Sequence, residues 1–305
     1  MKKSTSAGSP TMGKRRDYLK DQMPVKIITD CGRHPDVYLH YKKKFSGLDG
    51  LYSCAIVGWR GQEGGPTPAD VKQRVIWMFP AAVNLCELQL YQPLIEGAQA
   101  HDLVPAWVSM DSVDYHITKL FDTKGSNDLV VCTDFSKFDQ HFNREMQDAA
   151  YKIERALATN DRFTDWWFET IYPAKFNIPL ICDEEVAYYG FHGMGSGSGG
   201  TSFDECVAHK ALQFDACQKK RTTLNPASMA YGDDGILSAP NLSVEDVVQA
   251  YTSHGMEMNP EKQYVSKHDC VVLRRWHSID YRVNGIMVGV YSTFRALGRL
   301  LAQER

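Results

Sequence analysis

The chain has 305 residues, of which 43% are hydrophobic and 23% are charged, with a formal net charge of −3. This composition is that of a globular protein, and the length is sufficient for one composite domain or two ordinary ones. We expect no membrane-spanning segment and no secretory signal, because no apolar run is long enough and none follows the basic residues near the N-terminus. The 8 cysteines are scattered singly, which predicts reduced thiols in a cytosolic protein rather than a disulfide framework or a zinc site.

The charge is distributed unevenly along the chain. Residues 1–80 contain 14 Lys and Arg against 7 Asp and Glu, a net charge of +7, and the remainder has a net charge of −10. A basic segment beside an acidic one is compatible with a polyanion-contacting region next to a metal-binding region. On charge alone, a charged surface without a partner is the simpler interpretation. The choice between these two interpretations therefore depends on the motifs.

The first third of the chain contains several clear structural signals. Residues 1–17 are rich in glycine, serine and proline and then basic, which predicts an extended loop, and residues 61–70 form a second loop. Residues 72–80 predict a short strand that Pro80 stops. Apolar residues at helical spacing predict a helix over residues 81–100.

The middle of the chain alternates apolar and amphipathic segments. Residues 127–135 predict a buried strand, and residues 143–157 predict an amphipathic helix. Residues 158–185 are aromatic and interrupted by prolines, which is typical of an insertion packed on the rest. A helix over residues 201–217 and a tight hairpin centred on Gly232 to Asp234 follow.

The last part of the chain is predicted to contain a helix over residues 243–253, opened by Ser243 as N-cap. Short strands with an Asn284–Gly285 turn follow over residues 271–291, and a basic helix covers residues 293–304. From residue 128 onward the order is strand, helix, helix, hairpin, helix and strands. This order predicts an α+β fold with an antiparallel sheet and helices on one face.

Two acidic clusters stand at the ends of predicted strands. Asp134 and Asp139 lie in VVCTDFSKFDQ, and Asp233 and Asp234 lie in MAYGDDGIL. Between them, GMGSGSGGTSFDE is a glycine-serine loop that leads into a helix. Carboxylates at the ends of neighbouring strands can hold two hard cations, which clamp the attacking and leaving oxygens of a phosphoryl transfer.

These three motifs, in this order and spacing, resemble the palm of a viral RNA-dependent RNA polymerase. DFSKFDQHF, GSGSGGTSFDE and YGDDGIL are most similar to the corresponding segments of picobirnavirus polymerases. The resemblance extends to STSAGSPTMGKRRD, like the loop that admits the template, and to KQRVIW, like a basic finger strand over the nucleotide channel. It also covers GMEMNPEK, like the segment of a mobile lysine, and VLRRW, like the primer-grip turn.

The resemblance implies a right-hand polymerase with an antiparallel palm sheet like that of an RNA-recognition motif. It divides the chain into partial fingers (residues 1–80), palm with the first aspartate motif (81–157), a fingers insertion (158–190), palm with the loop, the GDD hairpin and the primer grip (191–285), and the start of a thumb (286–305). Family members carry more fingers before these segments and a full thumb after them, so we expect an incomplete chain.

The resemblance also assigns the catalytic groups. Asp134 and Asp233 are expected to bind two Mg²⁺ or Mn²⁺ ions, with Asp234 as a weaker or outer ligand. Mg²⁺ needs only a few carboxylates beside water and substrate phosphates. Lys262 is expected to protonate the departing pyrophosphate as a general acid. The competing interpretation is that the aspartates are turn and cap residues and that Lys262 is a solvated lysine.

Binding of the incoming nucleotide is expected to involve a second group of residues. Asp139 would sense the ribose 2′-hydroxyl, and Lys72 and Arg74, on one face of a strand, would hold the triphosphate. The remaining members of this group are Ser196, Gly197 and Thr201 of the glycine-serine loop. Glu205 stands where many related polymerases have an asparagine that positions the 2′-hydroxyl sensor, and a carboxylate cannot donate as an amide does.

RNA is expected to bind through basic and loop residues that contact phosphates without reading sequence. The template strand is assigned to Ser6, Gly8, Lys14, Arg15 and Arg16, and the nascent strand to Arg274 and Arg275.

The sequence therefore predicts template-directed transfer of ribonucleotides to an RNA 3′-hydroxyl in the replication and transcription of a viral RNA genome. Expected partners are template and nascent RNA, ribonucleoside triphosphates and a viral capsid protein, but no membrane, with the enzyme in the virion interior or the host cytoplasm. Three alternatives remain: a reverse transcriptase-like polymerase, a non-catalytic RNA-binding fragment, and a two-metal nuclease. Asp139 disfavours the first, and the absence of an obvious water-activating residue disfavours the last.

Overall fold

The computed structural model describes residues 4, 6–8, 13–17, 54–62, 72–183 and 185–301. The chain divides into two compact units that interleave along the sequence. The first unit contains Met1–Pro93, Leu157–Thr201 and Glu304–Arg305, and the second contains Leu94–Ala156 and Ser202–Gln303.

The helices and strands of the described residues follow one another along the chain. Up to residue 188 they are β1 (Ala55–Gln62), β2 (Lys72–Met78), α1 (Ala81–Ala100), α2 (Pro105–Val108), α3 (Met110–Thr123), β3 (Val130–Thr133), α4 (Phe138–His141), α5 (Arg144–Leu157), α6 (Arg162–Thr170), a 3-10 helix (Tyr172–Phe176), β4 (Leu180–Ile181) and β5 (Ala187–Tyr188). Beyond it they are α7 (Thr201–Lys219), β6 (Met229–Tyr231), β7 (Asp234–Ser238), α8 (Val244–Thr252), a 3-10 helix (Pro260–Lys262), β8 (Tyr264–Ser266), β9 (Asp269–Val272), β10 (Arg275–Ser278), β11 (Arg282–Val283), β12 (Ile286–Met287), β13 (Val290–Tyr291) and α9 (Thr293–Leu301).

The first unit is built on a four-stranded sheet of order β2-β1-β4-β5. The long β1–β2 pair is antiparallel, β1 and β4 run parallel, and β5 returns antiparallel to β4. Ala55, Phe79, Val83, Ile178 and Leu180 form the apolar cluster of this unit. The cluster joins the sheet to the start of α1, so the helix begins at a fixed place beside the strands.

The second unit is built on an antiparallel sheet of order β6-β7-β3-β8. All four residues of β3 are buried. Val130 and Cys132 belong to a core cluster that includes Ile117 of α3. Thr133, whose side chain points to the opposite face because side chains alternate along a strand, contacts His209 of α7 at 3.3 Å. The antiparallel α+β fold class is confirmed. Because successive residues of β3 point to opposite faces and all are buried, the sheet is covered on both faces, whereas the sequence predicted helices on one face.

Short local signals fix the helix ends in this unit. The side chain of Ser243 accepts from the backbone N–H of Asp246, and the side chain of Asp246 accepts from the backbone N–H of Ser243. These two hydrogen bonds form a capping box at the start of α8. Ser109 caps α3 in a similar way through the N–H of Ser112. Most predicted elements lie where the sequence indicated, but α3 is absent from the prediction.

The last strands form two small antiparallel sheets, β13-β10-β9 and β11-β12. Asn284 and Gly285 connect β11 to β12 with φ of 51° and 81°, the two left-handed residues that a type I′ hairpin turn requires. Leu273 and Arg274 connect β9 to β10 with φ of 50° and 63°. The second turn therefore holds two non-glycine residues in a conformation that glycine or asparagine adopts more readily.

Candidate active site

Asp134 follows the last residue of β3 and is exposed. Its backbone is held from both sides by the Gln263 side chain, whose Oε1 accepts from the Asp134 N–H at 2.8 Å and whose Nε2 donates to the Asp134 carbonyl at 2.9 Å. Gln263 also donates to the carbonyl of Asn259 at 2.9 Å. The carboxylate of Asp134 is thereby presented at the end of a buried strand on a fixed backbone.

Asp233 lies in the two-residue turn of the β6–β7 hairpin, in which Tyr231 pairs with Asp234. Gly232, with φ of 60°, occupies the first position of the turn, where a type II′ hairpin places glycine. Asp233 and Asp234 are both exposed. The predicted GDD hairpin is confirmed, and its tight turn points two carboxylates away from the sheet core.

The register of the sheet relates the two acidic clusters. Thr133 pairs with Gly235, Asp134 directly follows Thr133, and Asp234 directly precedes Gly235. Asp134 and Asp234 therefore lie next to each other's strand ends, at the same edge of the sheet. Among the described residues, no group of three or more His, Cys, Asp or Glu side chains is arranged so that it could hold a metal ion.

His209 of α7 lies beneath this edge and is fully buried. Its Nδ1 hydrogen-bonds the Gly232 carbonyl at 2.9 Å, and its Nε2 hydrogen-bonds the Thr133 hydroxyl at 3.3 Å. The imidazole therefore joins the GDD turn to the end of β3. Burial lowers the pKa of His209 to about 4, so the ring is neutral at physiological pH.

This neutral histidine predicts acid sensitivity of the fold. The unfolded chain binds a proton at His209 near its ordinary pKa of 6.5, whereas the folded chain binds it only near a pKa of about 4. The free energy of unfolding should therefore fall as the pH decreases through this interval. Urea denaturation of the wild type and of His209→Gln across this interval measures the effect. The loss should be smaller in the variant, and equal losses would show that His209 does not contribute.

Asp139 is half-buried in the first turn of α4. The turn begins after Lys137, which has a left-handed conformation with φ of 54°. Asn143, not Asp139, caps the following helix α5, because its Oδ1 accepts from the N–H groups of Glu145 and Met146. The start of α5 is therefore capped without Asp139.

Glu205 of α7 is only 7% exposed and lies against the GDD turn, with its Oε2 at 3.3 Å from the position that a Cβ on Gly232 would take. Burial, and next the negative charge of Asp139, raise the pKa of Glu205 well above its ordinary value. The two carboxyl groups also share a side-chain hydrogen bond. Such a bond requires a proton on one of them, and we assign it to Glu205, which as a neutral acid can donate to Asp139.

The glycine-serine loop, defined here as residues 195–200, belongs to the first unit. The Trp77 N–H donates to the Ser196 hydroxyl at 3.5 Å. The hydroxyl of Thr201, at the start of α7, donates to the carbonyls of Gly195 and Ser198 at 3.2 and 3.3 Å. The loop is thus bonded to β2 on one side and to its own helix on the other.

Two glycines of this loop allow a close approach of the chain to β2 and α1. A Cβ on Gly197 would overlap the carbonyl oxygen of Trp77, and a Cβ on Gly200 would overlap the ring of Tyr91. The absence of a side chain at these positions is therefore a packing requirement.

Replacement of Gly197 by alanine should displace the loop. The added methyl group meets a backbone atom, which cannot rotate away, and overpacking of this kind costs about 1–3 kcal/mol. Gly97→Ala on α1 is the control, since a Cβ there meets nothing within 4 Å and alanine favours a helix. Thermal denaturation of both variants measures the difference. Equal melting temperatures in Gly197→Ala and the wild type would contradict the close contact.

The remaining catalytic and strand-binding candidates have different environments. Lys262 ends a 3-10 helix next to Gln263 and is exposed. Arg274 is exposed in the β9–β10 turn. Arg275 is half-buried and forms a bidentate pair with Asp114 of α3, at 2.9 and 3.0 Å. Much of the hydrogen-bonding capacity of Arg275 is thus used inside the second unit.

The candidates near the N-terminus lie in the first unit. Lys14 and Arg16 are exposed, whereas Arg15 donates from Nη2 to Asn84 at 2.8 Å and from Nε to the Ser6 carbonyl at 3.0 Å. Gly8 has φ of 71°, and a Cβ there would lie 2.6 Å from the Phe79 carbonyl oxygen.

The basic strand candidates belong to β2. The side chain of Arg74 is exposed, and its backbone pairs with that of Arg60 of β1. The backbone of Lys72 pairs with Gln62, but its side chain lies outside the described residues.

The structure shows four supporting residues that the sequence did not indicate as part of the site. They are Gln263, the buried His209, and Asn84 and Glu87, which bond to the glycine-serine loop. Each acts through a contact between residues far apart in the chain, so no local pattern identifies it.

Comparisons with known proteins agree with this geometry. Residues 1–278 match the family described as viral RNA-dependent RNA polymerase. The chain is 55% identical over 305 residues to a potential RNA-dependent RNA polymerase of human picobirnavirus (strain Human/Thailand/Hy005102/-), covering 100% of this chain and 55% of the relative. Two crystal structures match with a TM-score of 0.89 and 53% identity, covering 100% of this chain. They are the RNA-dependent RNA polymerase of a human picobirnavirus and its insertion-loop deletion mutant, of which 57% and 58% are covered.

The chain belongs to the viral RNA-dependent RNA polymerases. Within that family it is similar to the polymerases of human picobirnaviruses, and it spans 55% of the length of the curated relative. Among the described residues, the structure contains no helix with the length and apolar character that a bilayer crossing requires. The seven cysteines in the described part of the chain are free thiols.

Proposed function

We propose that this chain provides the catalytic centre for template-directed transfer of ribonucleotides to the 3′-hydroxyl of a growing RNA strand. The observation that carries the proposal is the placement of Asp134 beside the Asp233–Asp234 turn at one edge of the sheet. The membership of this chain in the polymerase family supports the same reaction. We extend the proposal to the replication and transcription of a viral RNA genome.

The site suits two divalent cations, Mg²⁺ or Mn²⁺, held by Asp134 and Asp233, with Asp234 as a weaker or outer ligand. The fit rests on the donor set, since these exposed oxygen ligands are the type that both ions prefer. Mg²⁺ is usually bound by one or two carboxylates and by substrate phosphates, so a complete protein cage is not required. Bound cations would lower the pKa of the 3′-hydroxyl and neutralise charge on the pyrophosphate.

The reaction forms one bond and breaks one. The 3′-oxygen attacks the α-phosphorus of the nucleoside triphosphate, its proton passes to solvent water, and the bond from phosphorus to the pyrophosphate oxygen breaks. We assign the protonation of pyrophosphate to the ammonium group of Lys262, which is exposed next to the residue that holds Asp134. Lys72 and Arg74 would bind the triphosphate, and the exposed guanidinium of Arg74 suits a bidentate contact.

Selection of ribose over deoxyribose is assigned to Asp139. A protonated Glu205 donates to the Asp139 carboxylate, as an asparagine amide would, and thereby holds it in position to accept from the 2′-hydroxyl. This assignment resolves the difficulty that an ionised glutamate would pose at this position. Ser196 and Gly197 of the loop, together with Thr201 at the start of α7, would contact the nucleotide and the template through backbone and hydroxyl groups.

Asp139→Ala should lower the preference for ribonucleotides over deoxynucleotides by about tenfold or more, since a hydrogen bond to a charged group contributes about 1.5–3 kcal/mol. Glu205→Gln should preserve the preference because a glutamine amide also donates. Asp148→Ala, an exposed aspartate of α5, serves as the control. Competition between ribo- and deoxynucleoside triphosphates measures the preference. An unchanged preference in Asp139→Ala would contradict the assignment.

Contacts with RNA are proposed for the loop and basic residues of both units. The template strand would contact Ser6, Gly8, Lys14, Arg15 and Arg16, and the nascent strand would contact Arg274 and Arg275. Exposure favours Lys14, Arg16 and Arg274 as direct phosphate ligands. The similarity to picobirnavirus polymerases supports a viral capsid protein as partner and action in the virion interior or host cytoplasm.

The experiment that tests the function is incorporation of labelled ribonucleotides on a primed RNA template with Mg²⁺ or Mn²⁺. Template-dependent extension would support the proposal, and a preference for deoxynucleotides would favour a reverse transcriptase-like enzyme instead. RNA binding without extension would favour a non-catalytic fragment, because the chain spans only 55% of its curated relative. The same assay on a protein of the relative's full length would then distinguish an insufficient chain from an inactive centre.

A further inference from the structure

Asn84, on the first turn of α1, is 3% exposed and hydrogen-bonded on both sides of its amide. Its Oδ1 accepts from Arg15 Nη2 at 2.8 Å. Its Nδ2 donates to the carbonyl of Gly197 and to Glu87 Oε2, both at 3.1 Å. These partners fix the orientation of the amide, because a guanidinium can only donate and a carbonyl oxygen can only accept.

Glu87, one turn later on α1, continues this contact to the glycine-serine loop. It is 1% exposed, and its Oε1 accepts from the Ser198 hydroxyl at 2.7 Å while its Oε2 accepts from the Gly199 N–H at 2.7 Å. One buried carboxyl group thereby binds a side chain and a backbone N–H of the loop. Hydrogen bonds of this type are stronger when the acceptor is charged.

The N-terminal loop, defined here as residues 6–8 and 13–17, meets the same helix end. Arg15 donates to the Ser6 carbonyl at 3.0 Å as well as to Asn84. The Ala7 carbonyl accepts from the N–H of Ala81, the first residue of α1, at 2.7 Å. Two segments separated by about 180 residues therefore both hydrogen-bond to Asn84, and Glu87 adds two hydrogen bonds to the second segment. All these residues belong to the first unit.

We propose that Asn84 and Glu87 are positioning residues that couple the N-terminal loop to the glycine-serine loop. Arg15, Asn84 and Glu87 form a continuous hydrogen-bonded chain between the two loops. When Arg15 moves, the Oδ1 atom of the buried Asn84 loses the one donor that the described residues provide for it, so the contacts of Asn84 with Gly197 and Glu87 change as well. The consequence for the reaction rests on the function proposed above: template contact at the N-terminal loop would set the conformation of the loop that receives the nucleotide.

Hydrogen–deuterium exchange on the full chain without RNA or nucleotide tests the coupling itself. Arg15→Lys keeps the positive charge but loses the fork that bonds both Ser6 and Asn84. Exchange in peptides covering residues 195–200 should become about tenfold faster, the factor expected for the loss of a hydrogen bond involving a charged group. Arg162→Lys, an exposed arginine of α6, should leave that exchange unchanged.

Exchange at residues 195–200 that is equal in Arg15→Lys and the wild type would overturn the coupling. Faster exchange throughout the first unit with a lower melting temperature would also overturn it, since the contacts would then serve only the fold. Neither result depends on polymerase activity. A protein that shows the coupling but incorporates no nucleotide, even at the full length of the relative, would refute the proposed function and leave the hydrogen-bonded chain in place.

Kinetics with a primed RNA template separate positioning from general stability. Glu87→Gln replaces an acceptor of the Gly199 N–H and the Ser198 hydroxyl by an amide with only one acceptor atom. The KM for nucleoside triphosphate should rise about tenfold, because the loop is less often in its bonded conformation, while kcat changes little. Glu169→Gln, an exposed glutamate of α6, should leave both constants unchanged. A fall in kcat at constant KM, or no change in either constant, would contradict the positioning role.

Discussion

Replacement of Asp233 by asparagine is expected to lower nucleotide incorporation by about a thousandfold or more, because metal ions stabilise transition-state charge by several kcal/mol and each 1.36 kcal/mol is a factor of ten. The amide keeps the size of the carboxylate but lacks its charge, so it binds a hard cation more weakly. Asp233 is exposed in the turn, so the melting temperature should remain close to that of the wild type. Incorporation of labelled ribonucleotides on a primed template measures the loss.

The matched control is Asp280→Asn, which removes the charge of another exposed aspartate of the second unit. It should retain full activity, because it lies in the turn after β10 and away from the GDD hairpin in the sequence. Comparable activity in Asp233→Asn and Asp280→Asn would show that the GDD turn has no catalytic role. Loss of activity together with a large drop in melting temperature would instead indicate a folding defect.

Asp114→Ala is expected to destabilise the protein by about 3–5 kcal/mol, since removal of one partner leaves a buried charge without compensation. The Asp114 carboxylate binds Arg275 at 2.9 and 3.0 Å, the His277 ring at 2.8 Å and the Gly289 N–H at 3.3 Å. The side chains of Asp114 and His277 are 5% and 0% exposed. One aspartate of α3 thus joins β10 and the segment before β13 to the core.

Asp122→Ala on the same helix is the control for this loss. Asp122 also pairs with an arginine, Arg282, at 2.7 Å, but the two side chains are 51% and 29% exposed. Exposed pairs contribute about 0–1 kcal/mol because water screens them. Urea denaturation of the full chain gives both free energies of unfolding. A similar small loss in the two variants would show that the buried cluster around Asp114 is not a stabilising element.

The parts of the fold that were predictable depend on local chemistry. The GDD hairpin follows from a glycine between apolar strands, the β11–β12 turn follows from Asn284–Gly285, and the start of α8 follows from the Ser243 cap. In each case, neighbouring residues decide the conformation. The helix α3 has the same kind of local signal, with Val113, Ile117 and Phe121 at helical spacing, and is nevertheless absent from the prediction.

The candidate site was predictable in its charged residues but not in its supports. Asp134 and Asp233 follow strand-like segments, and the register of the sheet places them at one edge. Gln263, which holds the Asp134 backbone from 129 residues away, has no local signature. The same reason explains Arg275, whose buried partner Asp114 is 161 residues distant. The division into fingers, palm and thumb stays a prediction.

The β9–β10 turn has a consequence for how this protein can evolve. Leu273 and Arg274 both have left-handed backbones, which costs about 1–2 kcal/mol for each non-glycine residue. Asn-Gly at these positions would relax the backbone and raise the melting temperature, but it would also remove the exposed guanidinium of Arg274. In a selection for heat resistance, the Asn-Gly replacement should therefore become enriched early. In a simultaneous selection for RNA synthesis, it should be lost. The two outcomes would show whether the strained turn is retained for its arginine.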